Sequence, residues 1–105
     1  MASTKDYVEY VCDSVKDFGI ITNKKMFGEY MVYVNAKPIL LICDNTIYIK
    51  MKDEIKEYMD ECGTGYPYNG AKLHYILDVE DRDITSKVIP ILERITPLPK
   101  SRGKK

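Results

Sequence analysis

Hydrophobic residues along this chain follow two different periods, and the change of period predicts where helices give way to strands. From Ser3 to Phe18 the apolar positions recur at helical spacing, and Gly19 follows, which favours one amphipathic helix with a glycine C-cap. Residues 30–50 instead contain three runs rich in β-branched and aromatic residues, separated by short polar breaks suited to hairpins. Three antiparallel strands are therefore expected, with a shorter strand over residues 20–27 before them.

The second half of the chain returns to helical spacing twice. Residues 53–62 predict a short helix capped by its first aspartate, and residues 83–96 predict a last helix in which Pro90 would cause a kink or a later start. Alternation over residues 73–79 indicates a strand between them. Each helix has one apolar face, and such faces are buried when helices lie against a sheet. The predicted fold class is α+β, a two-layer sandwich in the order α-β(3-4)-α-β-α, with the helices mainly on one face of an antiparallel sheet.

Length and composition agree with one globular domain. The chain has 105 residues, of which 45% are hydrophobic and 30% charged, an ordinary balance that suffices for a single core. No apolar run reaches the roughly 20 residues that span a bilayer, and the first residues lack a signal-peptide pattern, so the cytoplasm is the expected compartment. We assign residues 1–99 to the domain and residues 100–105 to a basic flexible tail.

Charge is divided unevenly between that tail and the domain. Four of the last six residues are basic, although the formal net charge of the whole chain is zero. The first 99 residues therefore hold 12 basic and 16 acidic side chains, a net charge of −4. Domains that bind nucleic acid strongly usually present a basic face. This balance argues against the folded domain as a strong DNA binder.

Candidate catalytic chemistry is sparse. The three cysteines are far apart, none of them has a zinc-binding spacing, and His74 is the only histidine. His74 falls inside a predicted strand, and no sequence feature pairs it with a cysteine or serine nucleophile. Helix capping explains the carboxylates near residues 60 and 80, because negative charge is favoured at helix N-termini. The sequence therefore predicts no catalytic residue, no metal site and no cofactor.

Tyrosines are better candidates for a binding surface. The chain has nine tyrosines and no tryptophan. Tyr66 and Tyr68 flank Pro67 in a loop that the turn pair Asn69-Gly70 closes. A tyrosine joins a large apolar body to a polar tip, which suits both the edge of a core and a protein-binding surface. For these two rings, packing and partner contact explain the sequence equally well.

One motif links the chain to a known family. The run Lys-Met-Phe-Gly-Glu-Tyr occupies residues 25–30, and Pro-Tyr-Asn-Gly-Ala-Lys occupies residues 67–72. Matching positions between them are Tyr33, Lys37, Cys43, Asp44, Tyr48 and Lys50. In these residues the chain resembles the N-terminal domain of the TfoX/Sxy family, named for regulators of natural competence. Asn69 departs from the pattern, since the family usually has a second proline there.

The resemblance implies an α-β-α sandwich without catalytic residues or cofactor. It also implies a role in switching on DNA-uptake genes, together with the cyclic-AMP receptor protein at promoters. Full competence regulators carry a second, C-terminal domain, and the resemblance is to their first domain. The fold therefore transfers more safely than the function.

The sequence leaves three functional hypotheses open. The first is a non-enzymatic protein-interaction domain, a transcriptional co-regulator whose partner is a transcription factor or a component of RNA polymerase. Its expected surface consists of Lys25, Glu29, Lys50, Tyr66, Tyr68, Asn69, Gly70 and Lys72. The second is a direct nucleic-acid-binding module that uses Lys25, Lys50, Lys72 and the basic tail. The third is a small-metabolite binder between sheet and loop. Against any shared site stands the possibility that the lysines are independent surface charges.

Overall fold

A computed structural model describes residues 5–26 and 29–98 of the chain, which form three helices and six strands. The helices are α1 (Lys5–Ser14), α2 (Lys56–Met59) and α3 (Arg82–Ile95). The strands are β1 (Ile21–Met26), β2 (Glu29–Val34), β3 (Lys37–Cys43), β4 (Thr46–Lys50), β5 (Thr64–Gly65) and β6 (His74–Leu77). Single 3₁₀ turns cover Lys16–Phe18 and Asp53–Ile55.

The strands form one antiparallel sheet in the spatial order β1-β2-β3-β4-β6-β5. One buried cluster joins residues of all three helices to alternate residues of the central strands. Its strand members include Val32, Val34, Leu40, Ile42, Ile47, Ile49, Tyr75 and Leu77. The α+β class and the helices on one face of the sheet are therefore confirmed.

The opposite face of the sheet carries no helix in the described chain. Leu41 and Cys43 are buried, yet they lie outside the helix-covered cluster, whereas their neighbours Leu40 and Ile42 belong to it. This alternation is what a strand with two different faces requires, because successive side chains point to opposite sides. We call the side without helices the outer face.

Two tight hairpins set the register of the meander. Both residues of each turn have positive φ, at Asn35 and Ala36 between β2 and β3, and at Asp44 and Asn45 between β3 and β4. Two-residue turns of this handedness match the twist of the flanking strands. The three predicted strands and their hairpins are confirmed, although the first turn uses only two residues and Lys37 already belongs to β3.

The first helix is shorter than the pattern predicts. Regular helix ends at Ser14, and a 3₁₀ turn completes the segment up to Phe18. Gly19 has φ +150°, and a Cβ there would lie 2.7 Å from the side chain of Asn35. That close approach lets the side-chain oxygen Oδ1 of Asn35 accept from the Ile20 amide at 2.9 Å. Glycine is therefore needed here for the turn into β1 and for the space beside it.

The other two helices also differ in detail from the prediction. Asp53 gives no side-chain cap, and the regular part of the second helix is only Lys56–Met59. The third helix begins at Arg82 and continues through Pro90, so a later start was wrong. Pro90 has no amide hydrogen to donate to the Ser86 carbonyl, one turn earlier in the helix. Both residues are exposed, so this carbonyl lies on the solvent side of α3. The short strand β5 was not predicted.

The end of α3 is tied to the β2–β3 hairpin by a partly buried ion pair. The Lys37 ammonium donates to the Glu93 carbonyl oxygen at 2.8 Å and lies 3.4 Å from the Glu93 carboxylate. No helix within residues 5–26 and 29–98 is long and apolar enough to cross a membrane. The predicted helix start at Ser3, the motif residues Phe27 and Gly28, and the tail 100–105 lie outside the described residues.

Candidate functional site

The site begins where two central strands separate. Pairing between β3 and β4 stops at Leu41↔Tyr48, whereas β4 continues to pair with β6 as far as Lys50↔His74. On its other side β3 carries a bulge, with Ile39 as the extra residue between two partner pairs. A bulge bends its strand and increases the local twist. The two strands therefore diverge and leave a wedge-shaped gap in the sheet.

That gap is a cleft of about 170 Å³ with an apolar floor and a polar rim. The floor residues are Met31, Pro38, Ile39, Leu41 and Leu92, and the rim residues are Lys50, Lys52, Tyr68, His74 and Thr96. Residues of the outer face and of α3 can line one cleft because the sheet is open between β3 and β4. We call this cleft and its rim, together with the neighbouring Lys72, the wedge site.

Three lysines beside the cleft have no anionic partner among the residues that the structure describes. Lys50, Lys52 and Lys72 line a second, adjoining hollow of about 360 Å³. Within the described chain, none of their ammonium groups forms an ion pair or a side-chain hydrogen bond. Lys16 and Lys37, in contrast, each pair with a carboxylate, at 3.2 and 3.4 Å. The wedge site thus concentrates positive charge that the fold does not use.

His74 is held in a fixed orientation between these lysines. Its Nδ1 lies 2.7 Å from the Lys72 carbonyl oxygen. Because a carbonyl only accepts, Nδ1 donates the proton, and the other ring nitrogen, Nε2, is left for a ligand or water. The ring also makes an edge contact with Tyr48, with centroids 6.4 Å apart. The imidazole is therefore a positioned polar group on the cleft rim.

The loop after β5 exposes its two tyrosines. Pro67 is buried and anchors the loop, whereas Tyr66 and Tyr68 are 64% and 50% exposed. The Ala71 amide donates to the Tyr68 carbonyl at 3.0 Å, and Gly70 has φ +89°, which makes this a tight turn of the type that favours glycine. The predicted turn is confirmed. Rings this exposed do not fill the core.

The structure brings some of the expected surface residues together and separates others. Lys50, Tyr68 and Lys72 meet at the wedge site. Tyr66, Asn69 and Gly70 continue from it along the loop, where with Tyr68 and Ala71 they line a hollow of about 560 Å³.

Two of the expected residues lie elsewhere. Lys25 pairs with Tyr30, which packs on the helix-covered core, and directly paired residues project to the same side, so Lys25 lies on the helix-covered face. Lys50 follows the core residue Ile49 and therefore lies on the outer face, on the other side of the sheet. Strand β1 is three strands from β4, about 14 Å at the usual strand spacing and beyond a Debye length of roughly 8–10 Å. Glu29 begins β2 at the other end of the sheet, beside Cys43.

Sequence reasoning did not identify Lys52, His74 or the cleft floor as parts of this site. For Lys52 a signal existed, because residues two apart at the end of a strand share a side, and Lys50 and Lys52 have that spacing. For His74 the sequence contained no such signal. Its place opposite Lys50 depends on pairing between strands that are 24 residues apart in the chain, counted from the register Lys50↔His74.

The opposite end of the sheet is acidic, and its charges are engaged in the fold. Asp81 accepts from the Ile84 amide at 3.3 Å and caps α3, and Glu80 accepts from the Tyr10 hydroxyl at 2.7 Å. Burial, followed by the nearby carboxylates of Glu29 and Asp44, raises the pKa of the Cys43 thiol to about 12. Among the described residues no cluster of histidine, cysteine or acidic side chains could hold a metal ion.

Exposed hydrophobic side chains are also distributed unevenly between the two ends of the sheet. The described chain exposes seven large ones: Tyr10, Ile20, Met51, Tyr66, Tyr68, Leu73 and Leu98. All except Tyr10 lie at the end of the sheet that holds the wedge site, since they flank the end of β4, the β5–β6 loop, the start of β1 or the end of α3. Positive charge and exposed apolar surface therefore coincide at one end, which we call the lysine end.

Comparisons with known proteins identify relatives of the chain. The model of the TfoX N-terminal domain matches residues 13–82, from the first helix to the start of α3. An "uncharacterized 12.7 kDa protein in trpE 5'region" from Spirochaeta aurantia is 31% identical over 107 residues. That alignment covers 100% of this chain and 93% of the relative.

Proposed function

The chain belongs to the TfoX N-terminal domain family, and from this premise we propose that it is a non-enzymatic protein-interaction domain that binds its partner through the lysine end. The observation that carries the proposal is the coincidence there of three unpaired lysines, a cleft and six exposed hydrophobic side chains. Aromatic and apolar anchors surrounded by polar groups are typical of protein interfaces. An exposed apolar patch on a small domain also favours an interaction site.

A transcriptional role extends this proposal. The family takes its name from competence regulators, and the resemblance to it implies a role at promoters together with the cyclic-AMP receptor protein. We therefore propose a transcription factor or a component of RNA polymerase as the partner and competence or DNA uptake as the process. The lysine end supports a partner contact in general, and the family membership supports this particular kind of partner.

Direct nucleic-acid binding is the second candidate, and the unpaired lysines are the observation that favours it. A strand of nucleic acid would extend past the three lysines onto a domain with a net charge of −4. Affinity for phosphates would then come from a few contacts only and would fall steeply with rising salt. We favour the protein partner because the same end also presents Tyr66, Tyr68, Met51 and Leu73.

Site-specific photo-crosslinking tests the protein-interaction proposal. A photoreactive phenylalanine replaces Tyr66 at the lysine end or, as the matched control, Tyr10 at the acidic end, in cells that make the protein. We expect a discrete cross-linked protein only from position 66, lost when Lys72→Glu is added, and we expect the identified partner to bind the purified chain. Equal cross-linking from both positions, or products unaffected by Lys72→Glu, would contradict the proposal.

A further inference from the structure

The wedge site combines two features that together specify a class of ligand. Its floor is apolar and close to the size of one side chain, because an apolar cavity of about 150 Å³ holds a benzene ring and this cleft measures about 170 Å³. Its rim is cationic, with Lys50 and Lys52 at the mouth and Lys72 beside it. A ligand that satisfies both parts has one apolar group next to several negative charges.

The cationic rim favours an anionic ligand. Lys50, Lys52 and Lys72 line one hollow, and none of them has, among the described residues, the carboxylate partner that Lys16 and Lys37 have. An anion bound there would be attracted by all three ammonium groups. The Nε2 atom of His74, fixed by the bond from Nδ1 to the Lys72 carbonyl, adds a polar contact at the same rim. Carboxylates are the common anionic groups of proteins and pair well with ammonium groups.

The ligand must also be short. Lys50, Lys52 and Lys72 lie together at the lysine end, while Glu80, Asp81 and other acidic residues occupy the opposite end of a domain whose net charge is −4. An extended polyanion would meet that negative surface. An acidic segment of a few residues would not, and a protein segment, unlike a nucleic acid, can supply an apolar side chain of the right size for the floor.

We propose that the wedge site binds an acidic segment of a partner protein, with one aromatic or branched apolar side chain in the cleft and the flanking carboxylates on Lys50, Lys52 and Lys72. The inference rests on the proposed function and names the chemistry of its partner. Tyr68 lines the cleft from the loop side. Steering by the lysines and anchoring by one side chain then make separable contributions to affinity.

Fluorescence anisotropy with a designed probe tests this inference. The probe is a labelled peptide with one central phenylalanine between short runs of glutamate, and its control has alanine at the centre. Burial of the ring predicts at least tenfold weaker binding of the alanine peptide. Lys50→Glu and Lys72→Glu should each weaken the phenylalanine peptide at least tenfold. Lys25→Glu makes the same charge change on the opposite face and should alter binding less than twofold.

Two further measurements test whether a nucleic acid or a small molecule occupies the wedge site instead. An oligothymidylate of matching charge should bind more weakly than the phenylalanine peptide, and phenylpropionate should compete only at far higher concentration than the peptide. Equal binding of the two peptides, tighter binding of the oligothymidylate, or full competition by phenylpropionate at the peptide's own concentration would overturn the inference. If partner cross-linking from position 66 persists in that case, the acidic-segment inference fails alone and the proposed function stands.

Discussion

The two ends of the sheet use their charges in opposite ways. At the acidic end, Asp81 caps a helix and Glu80 accepts a tyrosine hydroxyl, so these carboxylates contribute to the fold. At the lysine end, the ammonium groups of Lys50, Lys52 and Lys72 have no partner within the described residues. The two ends carry charges of opposite sign, and they also differ in whether those charges have partners in the fold. Charge with a partner in the fold stabilises it, and charge without one is available for a ligand.

The largest expected effect concerns the thiol at the acidic end. The folded protein raises the pKa of Cys43 from an ordinary value near 9 to about 12, with burial as the main cause. The unfolded chain therefore loses this proton more readily between pH 9 and 12. Below pH 9 the thiol is neutral in both states, and above it the free energy of unfolding should fall by roughly 1.4 kcal/mol per pH unit through this group.

Urea unfolding of reduced wild type and Cys43→Ala over that pH range isolates the effect. The cost of the smaller side chain is the same at every pH, so the difference between the two free energies of unfolding should shrink as the pH rises. A difference that stays constant from pH 9 to 11 would show that the acidic end does not hold this thiol neutral.

The next effect concerns a lysine that does have a partner. Lys37→Met removes the bond to the Glu93 carbonyl and leaves the partly buried Glu93 carboxylate without its cation. We expect a loss of about 1–3 kcal/mol in the free energy of unfolding, measured by urea denaturation. Lys16→Met is the matched control, because its pair with Asp13 is mostly exposed and should contribute less than about 0.5 kcal/mol. Equal losses would remove the distinction between structural and available lysines.

A smaller loss is expected when a carboxylate of the acidic end is removed. Asp81→Ala deletes the side chain that accepts from the Ile84 amide at the start of α3. The loss of an N-cap predicts about 1 kcal/mol of destabilisation in thermal or urea unfolding. Asp81→Asn keeps an acceptor at the same place and should retain most of the stability. If both variants match wild type, this charge is not structural.

Local elements were predictable from the sequence, and the site was not. Amphipathic spacing identified all three helices, and turn residues such as Asn35 and Asp44 identified the hairpins. Strand β5 has only two residues and therefore no periodicity to detect. The wedge between β3 and β4 depends on a bulge at Ile39 and on where pairing stops, and both are properties of the assembled sheet.

The same limit applies to the lysines. A family motif drew attention to Lys25, Lys50 and Lys72 together, but a motif does not report which face of the sheet each residue occupies. The pairing of β4 with β6 brings Lys50 next to the segment that holds Lys72, while β1 carries Lys25 on the other side. Two of the three therefore share a site because of tertiary structure.

The smallest effect on stability is expected at the lysine end. Lys50→Ala and Lys72→Ala remove charges that have no partner in the described chain, so no favourable contact is lost. The free energy of unfolding should therefore stay within about 0.5 kcal/mol of wild type. A clear loss of stability in either variant would place these lysines among the structural charges.

The measurement that tests the central claim most directly is an NMR titration of the ¹⁵N-labelled chain with the acidic phenylalanine peptide. The claim is that the lysine end is the binding site. We predict that the amide resonances of Lys50, Lys52, Tyr68 and Lys72 shift during the titration, while those of Glu80 and Asp81 do not. Shifts at the acidic end or around Lys25, with the wedge-site resonances unchanged, would contradict the account.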